Sequence, residues 1–265
     1  MPLAISDIKT DREIMYTETE GIILRQTKTV RGRRMVLLFS KKFGKISVGT
    51  NINEKGRSKS ALAMRPFTLG RYEIYKKGDF FSINGAETVQ SFYSIGENVE
   101  KYMYASYALE LLEKVTVEGQ VTAGLFQLTA DFLVEIEKRK KKFEILILAY
   151  ETKLLRTLGY LPRLRECASC GSKDTPVAFS VRAGGILCGN CCVEDEFNPM
   201  DTLIYPIDFG IVSVLIYFLS QPLKNLEGLA LDEEKAGKIR EILKGYRTYY
   251  LDIETLKSED CIMRE

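Results

Sequence analysis

Apolar and polar positions change period about a third of the way along the chain. Up to about residue 90 the apolar residues fall in short β-branched or aromatic runs, at 21–25, 35–39, 45–48, 67–75 and 80–83, separated by turn chemistry. These runs predict five strands, and Lys42-Phe43-Gly44-Lys45 predicts a hairpin turn between the second and third. Five short strands fit a small closed barrel. From residue 97 the spacing lengthens. Val99, Tyr102, Met103, Leu109, Leu112 and Val115 recur at helical intervals to about residue 117, and further helical patterns cover 121–137, 143–158, 209–219 and 232–252. The expected order is β then α: an N-terminal barrel, then a helical bundle.

The composition fits more than one module. At 265 residues the chain exceeds the usual single-core size. The expected division is an extension at 1–17, a barrel at 18–92 and a helical domain at 93–265, with a metal-binding insertion at about 164–197. The most apolar stretch, 211–219, is too short to span a bilayer, so no membrane association is expected. The first sixteen residues hold Asp7, Asp11, Arg12 and Glu13 and have no uninterrupted apolar core, so they read as neither signal peptide nor anchor.

Charge adds a direction. The formal net charge is only +2, yet from Gly21 to Arg71 there are thirteen basic residues and a single acid, Glu54, while beyond Cys192 acids outnumber bases. The loop 26–34 and the segment 51–65 are polar, basic and without apolar period. A five-stranded barrel with basic connecting loops is the OB arrangement, a frequent binder of single-stranded nucleic acid. Lys28, Arg31, Arg33, Arg34, Lys41, Lys42, Lys45, Lys55, Arg57, Lys59 and Arg65 are the candidate phosphate contacts. The plainer reading is a solvated polar surface, but like charges packed on a small barrel repel unless an anion visits. Phe43, Phe67, Tyr72, Tyr75, Phe80 and Phe81 offer possible stacking faces; strand alternation assigns most of them to the core.

The most specific chemistry is a set of cysteines. Cys167, Cys170, Cys188 and Cys191 form Cys-x2-Cys, seventeen intervening residues, Cys-x2-Cys, the spacing of a tetrahedral zinc site built from two knuckles. Four thiolates fill the ion and leave no place for an activated water, so the metal is structural. The alternative for the same residues is a pair of disulfides. Cys192 is a second candidate for the place of Cys191, and Cys261 reads as a free thiol. The chain contains no histidine, which excludes hydrolytic triads and histidine-containing zinc enzymes. It has no Walker-type phosphate loop either, so no enzymatic activity is expected. A zinc-containing transcription regulator is the alternative function, although its recognition helix should be rich in bases, and here the bases sit in barrel loops. Residues 138–142 (Lys138-Arg139-Lys140-Lys141-Lys142) read either as a solvated turn or as a site for an acidic partner.

With these features in order, the chain resembles the bacterial DNA repair protein RecO family. The resemblance is carried by Thr19-Glu20-Gly21-Ile22-Ile23-Leu24-Arg25, Leu38-Phe39-Ser40-Lys41-Lys42-Phe43-Gly44-Lys45, Arg65-Pro66-Phe67, and Leu158-Gly159-Tyr160-Leu161-Pro162 leading into Cys167-Ala168-Ser169-Cys170-Gly171. It covers about residue 16 to the end, so residues 1–15 read as an extension that family members generally lack. It implies a cytoplasmic, nucleoid-associated recombination mediator that binds single- and double-stranded DNA and anneals complementary strands without nucleotide hydrolysis. It further implies association with RecR, contact with the acidic tail of the single-stranded DNA-binding protein, and help in loading RecA. Such a tail needs an apolar pocket for its terminal Phe and cations for its carboxylates. Lys138, Arg139, Lys140, Arg156 and Arg163, beside the amphipathic stretch 143–158, are the candidates for that role.

Overall fold

A computed structural model describes residues 14–28, 34–52, 58–194 and 203–262. It divides into two compact units between Ser91 and Phe92.

The first unit is a closed barrel of β1 (Ile14–Lys28), β2 (Arg34–Ser40), β3 (Gly44–Thr50), β4 (Thr68–Lys77) and β5 (Phe80–Ser91), in the order β1-β2-β3-β5-β4 with β1 pairing back to β4. All neighbours are antiparallel except β3 and β5, which pair in parallel over Val48–Thr50 and Phe81–Ile83. Alternation selects the core: Ile23, Val36, Leu38, Ile46, Val48, Tyr72, Ile74 and Ile83 face inward. Bulges between Ile23 and Arg25 and at two points of the β4–β5 ladder let long strands bend around so small a barrel. β1 is longer than its apolar run suggests. Its first residues, Ile14 to Thr17, fall within the expected extension and pair with β4.

A short helix, α1 (Lys59–Ala63), lies where the sequence shows only polar, basic character. Ser58 caps it by accepting from Ala61 N–H. The buried Tyr72 hydroxyl donates to Ala63 O at 2.6 Å and so ties the helix to the barrel. Gly70 is required beside that ring, because a Cβ there would come within 2.6 Å of the Tyr72 oxygen.

The second unit is built around α4 (Phe143–Thr157), which packs against α2 (Val99–Val115), α3 (Leu125–Lys138), α6 (Phe209–Ser220) and α7 (Glu233–Leu251). α4 is buried on every side from Phe143 to Leu155 except at Glu144, as expected for a central helix with apolar residues all round. Its buried glutamate is paired. Glu151 accepts from Tyr107 (3.0 Å) and Arg247 (3.2 Å), and Arg247 also reaches Glu259 at 2.5 Å on α8 (Glu259–Ile262). Burial opposes the charge on Arg247, but Glu151, Tyr107 and Glu259 outweigh it and hold the guanidinium firmly protonated. The cysteine segment adds β6 (Pro176–Ser180), β7 (Gly185–Cys188), α5 (Gly189–Glu194) and β8 (Ile204–Pro206), with the sheet ordered β7-β6-β8. No helix among the described residues is long and apolar enough to cross a membrane.

Candidate metal centre and nucleic-acid interface

The four cysteines converge. The sulfur atoms of Cys167, Cys170, Cys188 and Cys191 all lie within 4.8 Å of one another, and Cys170 and Cys188 are 3.7 Å apart. The first pair sits on a loop closed by Gly171 N–H to Cys167 O (2.9 Å) and Cys167 N–H to Ser172 O (2.7 Å), with Gly171 at φ 75°, a backbone state natural to glycine. The second pair spans the junction of β7 and α5. The two loops are drawn together because Ala168 N–H donates to Ile186 O at 2.7 Å. Gly185 has a packing role here: a Cβ on it would stand 2.3 Å from Arg163 O, so only glycine lets the incoming chain pair with β7.

The electrostatics suit a cation. Burial opposes ionisation of Cys167, but backbone N–H groups of Cys170, Cys188 and Ser169 outweigh it and bring that thiol down to about 6. Hydrogen bonding to Cys170, followed by burial, pushes Cys191 up to about 12. Cys167 thus offers a ready thiolate, while Cys191 keeps its proton until a divalent ion displaces it. Cys167, Cys170, Cys188, Cys191 and Cys192 are all free of disulfides. Cys192 packs against the cluster but is not among the four convergent sulfurs. Four sulfur donors can hold one tetrahedral metal ion with no open position.

Among the described residues the barrel's cations are spread rather than gathered. Exposed Lys41 and Lys42, with half-buried Lys45, flank the β2–β3 turn, where Lys41 pairs with Glu20 at 2.8 Å. Arg34 stands at the other end of β2, about 20 Å away along a seven-residue strand. Lys59 lies on α1 and Arg65 follows it. Arg31, Arg33, Lys55, Arg57 and the side chain of Lys28 lie outside the described residues. Of the six candidate stacking rings, Tyr72 and Phe67 are buried, Phe43 packs edge-on against Phe81 at 5.5 Å, and Phe80 is exposed.

The basic run 138–142 requires a correction. Arg139 is 2% exposed, and its guanidinium donates to the carbonyls of Leu223 (3.0 Å) and Lys142 (3.4 Å). Lys142, at φ 61°, donates to Leu229 O (2.8 Å) and Glu227 O (3.1 Å). Two of the five bases therefore fasten the 223–229 segment to the start of α4. Lys138 and Lys140 remain exposed, but α4 sets them about 20 Å from Arg156 at its far end. Arg156 and Arg163 do come together, on a groove of about 650 Å³ whose apolar wall is Leu161, Pro162, Leu164, Ile216 and Leu219, with Arg165 and Glu166 at its edge. The α6 side of this groove escapes sequence reasoning, because its residues show only the ordinary period of a buried helix.

A closed OB-type barrel followed by a helical body with a four-cysteine cluster defines a two-part class of protein. The profile described as "Recombination protein O N terminal" matches residues 15–92, and "Recombination protein O C terminal" matches 96–260. The chain is 32% identical over 243 residues to "DNA repair protein RecO" of Alkaliphilus metalliredigens, covering 90% of this chain and 95% of that protein. Its Pelotomaculum thermopropionicum counterpart of the same name is 31% identical, with 89% of each chain covered, and that of Listeria monocytogenes is 29% identical, with 87% of each covered. The chain belongs to the RecO family.

Proposed function

We propose that this protein is a recombination mediator in DNA repair and not an enzyme, acting in the cytoplasm at the nucleoid. In this reading the barrel domain holds single- and double-stranded DNA by its phosphates, through Arg34, Lys41, Lys42, Lys45, Lys59 and Arg65 with Lys28, Arg31, Arg33, Lys55 and Arg57. It anneals complementary strands without nucleotide hydrolysis and works with RecR to load RecA. The observation that carries the reading is the β1-β2-β3-β5-β4 barrel built from the most basic third of a chain of this family. The four cysteines hold one structural zinc: zinc–sulfur bonds of about 2.3 Å place tetrahedral sulfurs roughly 3.8 Å apart, against 3.7 Å for Cys170 and Cys188.

The groove beside Arg156 suits the acidic, Phe-ended tail of the single-stranded DNA-binding protein, since it offers an apolar wall and three arginines. Arg156→Ala should weaken binding of a labelled tail peptide, read by fluorescence anisotropy, more than any barrel substitution, and removing the terminal Phe should weaken it as well. An unchanged affinity in both cases would rule out the groove. The overall reading is tested by mixing complementary oligonucleotides with the protein in the absence of ATP. Faster annealing than the spontaneous rate is expected. No acceleration, together with tight binding to one duplex sequence only, would point to a transcription regulator instead.

A further inference from the structure

On the outer face of the barrel, Met35, Gly49 and Ser82 stand in one row, because Met35 pairs with Gly49 and Gly49 with Ser82. Phe80 lies two residues before Ser82 on the same face, and it is 51% exposed. It is not part of the core cluster, where β5 is represented by Phe81, Ile83 and Ala86. A Cβ on Gly49 would sit 3.6 Å from the Phe80 ring and 3.9 Å from Met35 Sδ. Both are ordinary van der Waals distances, so the tip of the Phe80 ring and the Met35 thioether border the slot left by the missing side chain. Gly49 has no positive φ to explain it, and a glycine inside a strand weakens the strand unless something must approach closely. The cavity measures about 290 Å³, and Arg34, Asn51, Ser82 and Asn84 give it a polar rim. That is near the small end of ligand sites, about 300 Å³, enough for a single planar group. Phe80 is presented by a two-residue turn with Gly78 at φ 58°, so a tight hairpin holds it in place.

We propose that an unpaired nucleobase of single-stranded DNA seats in this slot, stacked on Phe80 over Gly49. The inference rests on the DNA-binding reading above and adds to it a base subsite distinct from the phosphate contacts. Amides and hydroxyls on the rim both donate and accept, so they pair with any base edge and keep binding tolerant of sequence. Arg34 supplies positive charge at the same place for the attached phosphate.

The test uses the full chain, an oligo(dT) strand and an abasic strand of equal length, with binding read by anisotropy. Phe80→Ala should lower oligo(dT) affinity by about 5- to 150-fold, the range for loss of one stacked base, and leave the abasic strand and the melting temperature unchanged. Gly49→Val, which fills the slot while keeping the ring, should reproduce the selective loss, and Phe80→Tyr should restore near-normal binding. If Phe80→Ala binds oligo(dT) as the unaltered protein does, or loses both strands equally, the slot is not a base site although the barrel still binds DNA. If the unaltered protein binds neither strand, the DNA reading itself fails and the slot with it.

Discussion

Arg139 shows how far a residue's sequence context can mislead. Within a run of five bases it reads as surface charge, yet its guanidinium is spent on the carbonyls of Lys142 and of Leu223, the latter 84 residues away in sequence. No local pattern encodes that. Arg139→Met should therefore cost about 1–3 kcal/mol by leaving a buried carbonyl unpaired, while Lys140→Ala should stay within about 0.5 kcal/mol. Urea unfolding compares the two; equal effects would contradict the burial. The same logic applies to Arg247, which is 2% exposed between Glu151 and Glu259. Arg247→Met should destabilise by about 3–5 kcal/mol, because two carboxylates lose their main counter-charge in a dry site. Replacing Glu151 and Glu259 by apolar residues as well should recover much of that loss. If the single variant unfolds at the normal urea midpoint, the network is not holding α2, α4, α7 and α8 together.

At the scale of elements, legibility followed length. The helices α2, α3, α4, α6 and α7 each run for three turns or more, so their apolar period was plain in the sequence, and their observed ends fall within about four residues of those expected. The barrel strands were legible for the same reason, through alternation. The helix α1, of five residues, and the strands β6, β7 and β8, of three to five, are too short to show any period. They exist because Tyr72 reaches Ala63 in one case and because the cysteine loops are pinned in the other. Spacing alone identified the four convergent cysteines, since two turns of fixed length dictate where the sulfurs fall. Removing the metal, by chelation or by Cys167→Ser, should speed hydrogen exchange across 167–192 and leave exchange in the barrel unchanged, as the binding energy of a structural site is local folding energy. Metal analysis should give about one zinc per chain. Uniform protection with and without chelator would show that the knuckle folds unaided.

For the whole molecule, charge was the informative property, and net charge concealed it. The basic third and the acidic remainder nearly cancel, to +2, yet they fall on separate units. The sequence pointed to the barrel as the site of an anion but not to how its cations are arranged, which depends on strand order; among the described residues they stand at both ends of β2 and on or just after α1. An arrangement of that kind tracks a backbone and does not read a sequence, so binding should be governed by phosphate neutralisation. The most direct measurement is the affinity of the full chain for unrelated DNA sequences as a function of salt. With about six phosphates neutralised, duplex affinity should fall by roughly 10³ between 50 and 200 mM salt, alike for every sequence. Affinity that holds constant across that range, or that persists for one sequence alone, would contradict the account.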